Sequence, residues 1–208
     1  TAVDYTEEML KEARHNAGEL ADRIQWRQMD AQNLDFPDQT FDAVVSRNLT
    51  WNLENPTRAY QEWLRVLKKG GKLLNYDANW YHHLFDEEKR KEYEEDRKRV
   101  ESLHMEDHYT CTDIDAMEDI ARKVPLSQIN RPLWDKELLE DLACSKVVIE
   151  EDVWKKVWSR EERANYYSTP MFLVEGEKYK PQLPAGWKRA KIFSKENVAV
   201  EDINYEQG

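Results

Sequence analysis

The chain has 208 residues and a mass of 24.9 kDa, enough for one domain with a sizeable core or one domain with a cap. Its net charge of −11 and isoelectric point near 5.1 argue against a nucleic-acid partner, because phosphate binding needs a basic face. No segment approaches the roughly 18 apolar residues of a membrane-spanning helix. Two cysteines without metal-ligand spacing favour a reducing, cytoplasmic setting.

The first thirty residues predict a strand, a helix and a second strand. Thr6 is a suitable N-cap followed by acidic residues, and apolar side chains at helical spacing predict an amphipathic helix from residue 7 to about 17–20. Its apolar face consists of Met9, Leu10, Ala13, Ala17 and Leu20. Residues 24–29 alternate as a strand that ends at Asp30, and Asp4 stands at the end of the first short strand. Both strands therefore end at an acidic side chain.

A third strand, a helix and a fourth strand are predicted next. The β-branched run 41–46 is typical of a strand buried on both faces of a parallel sheet. Asn55 caps the next helix with Pro56 at its first position, and Gly70 is expected to end it after two lysines. Its predicted buried face consists of Ala59, Tyr60, Trp63, Leu64 and Leu67. Residues 72–76 form the following strand. Strands separated by helices predict a parallel sheet with right-handed crossovers.

After residue 77 the pattern changes from alternating strands and helices to a mainly helical segment. Residues 86–99 are almost wholly charged, with opposite charges at i,i+4 spacing, which predicts an exposed helix. Two further helices are expected at 113–123 and 135–144, and two strands at 146–153 and 170–175. The remaining residues, 178–208, show no clear period and are expected to form a tail or linker.

This order resembles the class I S-adenosylmethionine-dependent methyltransferases, in the branch that modifies small molecules. The resemblance covers about the first 80 residues, and 146–177 only loosely. It implies a Rossmann-like α/β sheet with helices on both faces and methyl transfer from S-adenosyl-L-methionine to a small-molecule acceptor. The domains implied are a cofactor-binding half at 1–77, a helical lid or insertion at 78–145, C-terminal strands of the same domain at 146–177, and the tail at 178–208.

The resemblance assigns the cofactor to the ends of the first three strands. Asp4 would accept hydrogen bonds from both ribose hydroxyls, although an N-terminal cap is the alternative role of such a carboxylate. Tyr5 would lie against the adenine. Asp30 would accept from the adenine amino group while the backbone N–H of Ala31 donates to a ring nitrogen. Arg47 would contact the methionine part, largely through its backbone.

The resemblance places the methyl acceptor beside the third and fourth strand ends. Asn48, Trp51 and Asn52 would face it, although Trp51 is as compatible with a core position. Tyr81 and His82 lie near the expected substrate entry, and adjacent histidines point to opposite sides, so at most one of His82 and His83 faces the pocket. Many relatives carry histidines at the positions of Trp51 and Asn52, so no catalytic residue is assigned. If a general base is needed, the candidates are His82, His83, His104 and His108. No metal site is expected.

The sequence also departs from the family. The family's first strand and glycine-rich loop are absent from this chain, whose one close glycine pair is Gly70 and Gly71. We therefore expect an N-terminally truncated fragment that is inactive by itself, with two inner strand edges unpaired. Direct pairing of the two flanking strands, a partner chain through homo-oligomerisation or strand exchange, or the tail segment 189–202 could cover those edges. The alternative function is a non-catalytic methyltransferase-like binding or scaffold protein. A dinucleotide oxidoreductase is disfavoured, since only one ribose carboxylate supports it.

Overall fold

The computed structural model describes residues 1–110, 113–142 and 144–180, together with the backbone of 187–193 and 199–206. In these ranges the strands are β1 (Ala2–Asp4), β2 (Trp26–Gln28), β3 (Phe41–Arg47), β4 (Leu67–Asp77), β5 (Cys144–Glu150), β6 (Phe172–Lys178), β7 (Trp187–Phe193) and β8 (Ala199–Glu206). The α-helices are α1 (Glu7–Ala17), α2 (Pro56–Val66), α3 (Glu87–Ser102), α4 (Ile114–Ala121), α5 (Leu133–Asp141), α6 (Trp154–Val157) and α7 (Arg160–Asn165). Short 3₁₀ turns lie at Gly18–Arg23, Thr50–Asn52, His82–Leu84 and Pro125–Gln128.

The strands form a mixed sheet in separate portions. β1 pairs in parallel with β2, while β3, β4, β6 and β5 follow one another in a four-stranded sheet. β3 and β4 are parallel, but β6 runs antiparallel to both of its neighbours. The predicted α/β architecture is confirmed. The ladders among the first four strands are parallel as predicted, and the antiparallel strand β6 comes later in the chain and lies between β4 and β5. Within the described residues β1 and β3 share no ladder, so these two strands do not pair directly.

The segment expected to be a tail contains the two strands β7 and β8. Their described backbones pair with each other in antiparallel orientation, with Ile192 opposite Glu201. Neither strand is hydrogen-bonded to β1 or β3 in the described part of the chain. The proposed closure of the sheet by segment 189–202 is therefore not what this structure shows.

The helix α1 and the strand β3 form where the sequence predicts them, but both are more exposed than expected. α1 follows Thr6, whose side chain accepts a hydrogen bond from the Met9 N–H. Within its predicted apolar face Leu10 is buried, whereas Met9 and Leu20 are exposed. In β3 the side chain of Val45 is 63% exposed, so the prediction of burial on both faces is wrong. Consecutive side chains of a strand point to opposite faces, and in β3 Val44 packs against the main core while Val45 lies on the other, exposed face.

The helix α2 begins as predicted and ends earlier than predicted. The Asn55 side chain accepts from the Arg58 N–H, and Pro56 is the first helical residue. The helix ends at Val66 and β4 begins at once, so the expectation that Gly70 ends the helix is wrong. Gly70 has φ 77°, and with Gly71 it lies in an irregular start of β4, between the ladder pairs Phe41–Leu67 and Ala43–Lys72. The glycine pair therefore serves a local irregularity of the β-ladder.

The main core lies between α2 and the four-stranded sheet, and α5 adds to it. Its buried members are Leu53, Ala59, Tyr60, Trp63, Leu64, Leu67, Leu73, Leu139, Phe172 and Val174. α2 also holds the segment that follows β2. Trp63 Nε1 donates to the Ala31 carbonyl at 3.0 Å, and Arg65 donates to the carbonyls of Leu34 and Phe36. α2 thereby connects the β1–β2 pair to the four-stranded sheet.

The predicted helical segment after residue 77 is present as α3, α4 and α5, with bounds a few residues from those expected. The two strands expected after it are β5 and β6, and the connection between them contains α6 and α7. Among the described residues, no helix combines the length and the apolar character that crossing a membrane requires.

The irregular start of β4 leads to a stability prediction. A Cβ atom at Gly71 would lie 2.9 Å from the backbone oxygens of Asp42 and Lys68, which cannot move without shifting the ladder. We expect Gly71→Ala to lower the free energy of unfolding in urea by about 1–3 kcal/mol through overpacking. Gly176→Ala is the matched control, because its Cβ would meet the side chains of Leu139 and Cys144, which can adjust. An equal or larger loss in the control would contradict this account.

Candidate functional site

The parallel pairing of β1 and β2 brings Asp4 and the end of β2 to one edge. Asp4 lies opposite Gln28, and the Met29 N–H donates to the Asp4 carbonyl at 2.9 Å. The carboxylate Oδ1 of Asp4 accepts from the Thr6 N–H at 2.9 Å, so the capping role left open by the sequence is also present. Within the described part of the chain, Oδ2 of Asp4 has no hydrogen bond. This oxygen remains available to a ligand.

The turn after β2 presents a carboxylate and a free N–H. Asp30 Oδ1 accepts from the Gln32 N–H at 2.8 Å, and the Gln32 side chain accepts from the Asn55 N–H at 2.7 Å. The Ala31 carbonyl is held by Trp63, whereas its N–H makes no hydrogen bond to the described residues. The turn is therefore held by hydrogen bonds to Trp63 of α2 and to its N-cap Asn55, and the Ala31 N–H is available to a ligand.

Tyr5 stands beside this turn. Its side chain is 73% exposed, and its carbonyl accepts from Gln28 Nε2 at 2.9 Å. The exposed ring, the open Asp4 oxygen, the Asp30 carboxylate and the Ala31 N–H form one donor and acceptor set at the ends of β1 and β2. This set fits an adenosine group, because its hydroxyls and amino group need acceptors and its ring nitrogens need a donor.

At the end of β3 the chain turns sharply at Asn48, which has φ 54°. This left-handed conformation is one that asparagine tolerates better than most residues. The Asn48 N–H donates to the Tyr76 carbonyl at 2.9 Å, and its own carbonyl accepts from Trp51 Nε1 at 3.2 Å. The Arg47 guanidinium pairs with Glu162 of α7 at 3.0 Å. The side chain of Arg47 is thus engaged by α7, and its backbone is left for a ligand at the end of β3.

A buried ion network, absent from the sequence predictions, lies directly beneath this edge. Asp77, the last residue of β4, accepts from the backbone N–H groups of Trp51 at 3.0 Å and Ala78 at 2.9 Å. Arg131 Nη1 donates to the same carboxylate at 2.7 Å. Arg131 also donates through Nε and Nη2 to Asp135 at 2.8 and 2.7 Å. All three charged side chains are buried.

Neutral polar groups extend this network to α2 and to the turn that carries Trp51. The Tyr60 hydroxyl donates to Asp135 at 2.6 Å and accepts from Asn75 Nδ2 at 2.7 Å. Asn75 Oδ1 in turn accepts from the Thr50 hydroxyl at 3.0 Å. Burial raises the pKa of Asp77, an effect that the Arg131 guanidinium opposes, and burial together with the Asp135 charge raises the pKa of Tyr60.

The predicted acceptor residues Trp51 and Tyr81 meet, whereas His82 faces elsewhere. The two rings have centroids 5.2 Å apart. Tyr81 has φ 63°, a left-handed conformation that is uncommon for an aromatic residue. The His82 ring is hydrogen-bonded through Nδ1 to the Ser127 carbonyl at 3.2 Å, while His83 stacks on Tyr93 with centroids 4.1 Å apart. The adjacent histidines thus point to different neighbours, as expected.

His83 and His108 are both engaged by other side chains. Burial, reinforced by nearby cationic groups, lowers the pKa of His83 to about 4, so its ring is neutral at physiological pH. The His108 N–H donates to Asn165 Oδ1 at 3.0 Å, and its ring is hydrogen-bonded to the Tyr166 hydroxyl at 2.9 Å. Of the two cysteines, Cys111 lies outside the described residues. In the described ranges no three histidine, cysteine or carboxylate side chains converge as ligands of a metal ion would.

Comparison with known families and curated proteins finds methyltransferases that are similar to the N-terminal segment. Residues 1–75 match the methyltransferase domain family. Phosphatidylethanolamine N-methyltransferase of Cereibacter sphaeroides is 43% identical over 76 residues, which are 36% of this chain and 37% of the relative. Demethylmenaquinone methyltransferase of Desulfitobacterium hafniense is 41% identical over 80 residues, which are 37% of this chain and 31% of the relative. The match thus spans about a third of the length of these relatives.

Solved structures with similar folds extend the likeness beyond this segment. The CurJ carbon methyltransferase superposes with a TM-score of 0.54 at 12% identity, covering 86% of this chain and 41% of that one. A chain from the complex of the Haloferax volcanii Trm112 methyltransferase activator with a methyltransferase gives 0.52 at 18% identity, covering 86% and 71%. At such identities the likeness shows the fold alone. The match over residues 1–75 confirms the predicted resemblance to methyltransferases for this segment, and the likeness to solved structures confirms the Rossmann-like α/β fold.

The buried ion network leads to a prediction on stability and pH. Arg131→Met leaves the carboxylates of Asp77 and Asp135 buried without their cation, and we expect a loss of about 3–5 kcal/mol in the free energy of unfolding. Without the guanidinium the pKa of Asp77 should rise further above its unfolded value. The folded variant then takes up a proton as the pH falls through that raised pKa, so the loss should be smaller near pH 5 than near pH 8.

Lys136→Met removes an exposed cation from the same helix, α5, and is the control. Urea unfolding at both pH values measures the two variants side by side. A loss in Arg131→Met no larger than in the control would contradict the central role of the network, and so would a loss that grows on acidification.

Proposed function

We propose that this chain contributes to an enzyme that transfers a methyl group from S-adenosyl-L-methionine to a small-molecule acceptor. The observation that carries the proposal is the donor and acceptor set at the ends of β1 and β2, which lies within the segment that matches the methyltransferase domain family. The relatives compared above are named for phosphatidylethanolamine and for demethylmenaquinone, so small-molecule acceptors of different chemistry occur among them.

In this proposal the adenosine part of the cofactor lies at the ends of β1 and β2. Oδ2 of Asp4 accepts from the ribose hydroxyls, and the Tyr5 ring lies against the adenine. The Asp30 carboxylate accepts from the adenine amino group, and the free Ala31 N–H donates to the ring. The Arg47 backbone contacts the methionine part, since its guanidinium is already engaged by Glu162. When bound, the cofactor supplies a methyl group activated by a sulfonium centre.

The acceptor side of the proposed site consists of Asn48, Trp51 and Tyr81. Asp77 fixes the position of Trp51, because its carboxylate accepts a hydrogen bond from the Trp51 backbone N–H. These residues bind and orient the acceptor, which is the main contribution that a protein makes to transfer of an already activated group. No general base is assigned, because the neutral ring of His83 is a weak base and His82 is hydrogen-bonded to Ser127.

Cofactor binding tests this proposal. In the complete protein we expect Asp4→Asn and Asp30→Asn each to weaken S-adenosyl-L-methionine by about 1.5–3 kcal/mol, or roughly 10- to 100-fold in Kd, because each removes a charged hydrogen-bond acceptor. Calorimetric titration gives the affinities. Asp42→Asn, which changes an exposed carboxylate on β3, should leave the affinity unchanged. Unchanged affinity in both site variants would show that the cofactor does not bind at these strand ends.

The 208-residue chain, titrated by itself, tests the expectation that these residues do not hold the cofactor alone. We expect no saturable binding in the micromolar range. Micromolar binding of one cofactor per chain would show that a glycine-rich loop is dispensable and that the expectation is wrong.

A further inference from the structure

An ion pair joins the short helix α7 to the end of β3. Arg47, the last residue of β3, donates through Nη2 to Oε1 of Glu162 at 3.0 Å. Among the described residues this is the one hydrogen bond between α7 and β3. The proposed function puts the methionine part of S-adenosyl-L-methionine beside the Arg47 backbone, and that part carries a carboxylate. A carboxylate of the protein therefore stands where a carboxylate of the ligand is expected.

The Arg47 guanidinium has donors left for a stronger partner. In the described part of the chain its hydrogen bond is the one to a single oxygen of Glu162, whereas the planar fork of an arginine can hold both oxygens of a carboxylate. The Arg47 side chain is also 51% exposed. Exposed ion pairs shift an equilibrium by about fivefold at most. A ligand carboxylate that fills the fork would thus bind Arg47 more strongly than Glu162 does.

Glu162 can leave Arg47 without losing its place in α7. Its Oε2 accepts from the Ser159 N–H at 2.8 Å, and its own N–H donates to the Ser159 hydroxyl at 3.1 Å. This capping box keeps the carboxylate at the N-terminus of the helix, where negative charge is favoured. The other end of α7 is held by Asn165, which accepts from the His108 N–H at 3.0 Å. An exchange of partners at Arg47 therefore needs no unfolding of α7.

We propose that Glu162 competes with the cofactor for Arg47, and that the carboxylate of the methionine part displaces it on binding. This inference rests on the proposed function and adds a residue that sets the affinity of that site. The Arg47 guanidinium then adds its contact to the backbone contact proposed above. Because Glu162 returns to Arg47 when the ligand leaves, the competition lowers the affinity for the cofactor and for the demethylated product alike. The product thereby dissociates more readily.

Two probes that differ by one carboxylate isolate this contact in the complete protein. They are S-adenosylhomocysteine and its decarboxylated analogue, which keeps the adenosine part and the ammonium group. Calorimetric titration gives both affinities. We expect S-adenosylhomocysteine to bind about three- to thirtyfold more tightly, because a hydrogen bond to a charged group outweighs an exposed ion pair. Equal affinities, or tighter binding of the analogue, would overturn the proposal.

Variants of the two partners should act in opposite directions. Arg47→Gln should weaken S-adenosylhomocysteine about three- to thirtyfold without weakening the analogue. Glu162→Gln should strengthen S-adenosylhomocysteine about two- to fivefold without strengthening the analogue, because it removes the competing charge. Glutamine serves in a capping box as glutamate does, so this variant should fold normally. Unchanged binding of S-adenosylhomocysteine in Glu162→Gln would exclude competition, and weaker binding would show that Glu162 holds the ligand.

A control and a double variant separate competition from a general effect of charge. Glu161→Gln removes the exposed charge of the preceding residue and should leave both affinities unchanged. In the double variant of Arg47→Gln and Glu162→Gln, the gain from Glu162→Gln should disappear, since the cation under competition is gone. A gain that persists without Arg47 would overturn the proposal.

The same titrations distinguish a failure of this inference from a failure of the proposed function. If neither probe binds the wild-type protein, both fall together. If both probes bind equally and Asp4→Asn weakens both, the adenosine edge stands and the exchange at Arg47 is excluded.

Discussion

The sharing of one buried guanidinium by two buried carboxylates constrains the centre of this molecule. Asp77 and Asp135 both depend on Arg131, and a single cation does not balance two anions. The remaining negative charge is met by the N–H groups of Trp51 and Ala78 and by the Tyr60 hydroxyl. Buried ion pairs contribute little net stability, because desolvation offsets their attraction. What this network does provide is geometry, since each partner must remain in place for the charges to stay satisfied.

That geometry bears directly on the helical segment that follows β4. Arg131 is held by its side chain and also by its backbone, because Asn79 donates to its carbonyl at 2.8 Å and accepts from its N–H at 3.1 Å. On the other side, Asp96 of α3 accepts from the Ser168 N–H at 2.7 Å, and Arg97 is bonded to Asn165. The segment is therefore anchored at two places. The highly charged composition of α3 in the sequence does not reveal these anchors.

The sequence predicts local features well and contacts between distant residues poorly. Thr6 and Asn55 cap their helices as expected, because capping depends on residues a few positions away. The predicted end of α2 is wrong because the pairing of Leu67 with Phe41 in the β3–β4 ladder, a contact between distant residues, starts the strand there. None of the sequence predictions points to Arg131. It binds Asp77 across 54 residues, and an acidic residue after a strand gives no sign of which cation it will meet. Asp77 itself, as a third acidic strand end, carried a signal that could have been used.

One helix joins the two halves of the proposed site. Trp63 and Tyr60 lie on α2 with ring centroids 5.2 Å apart. The indole of Trp63 holds the Ala31 carbonyl, at the proposed adenosine edge, while the Tyr60 hydroxyl holds Asp135 and Asn75 beneath the acceptor edge. A small rotation of α2 would displace both edges together. The cofactor and the acceptor would then be thermodynamically linked. If the cofactor changes the affinity for the acceptor by some factor, the acceptor must change the affinity for the cofactor by the same factor.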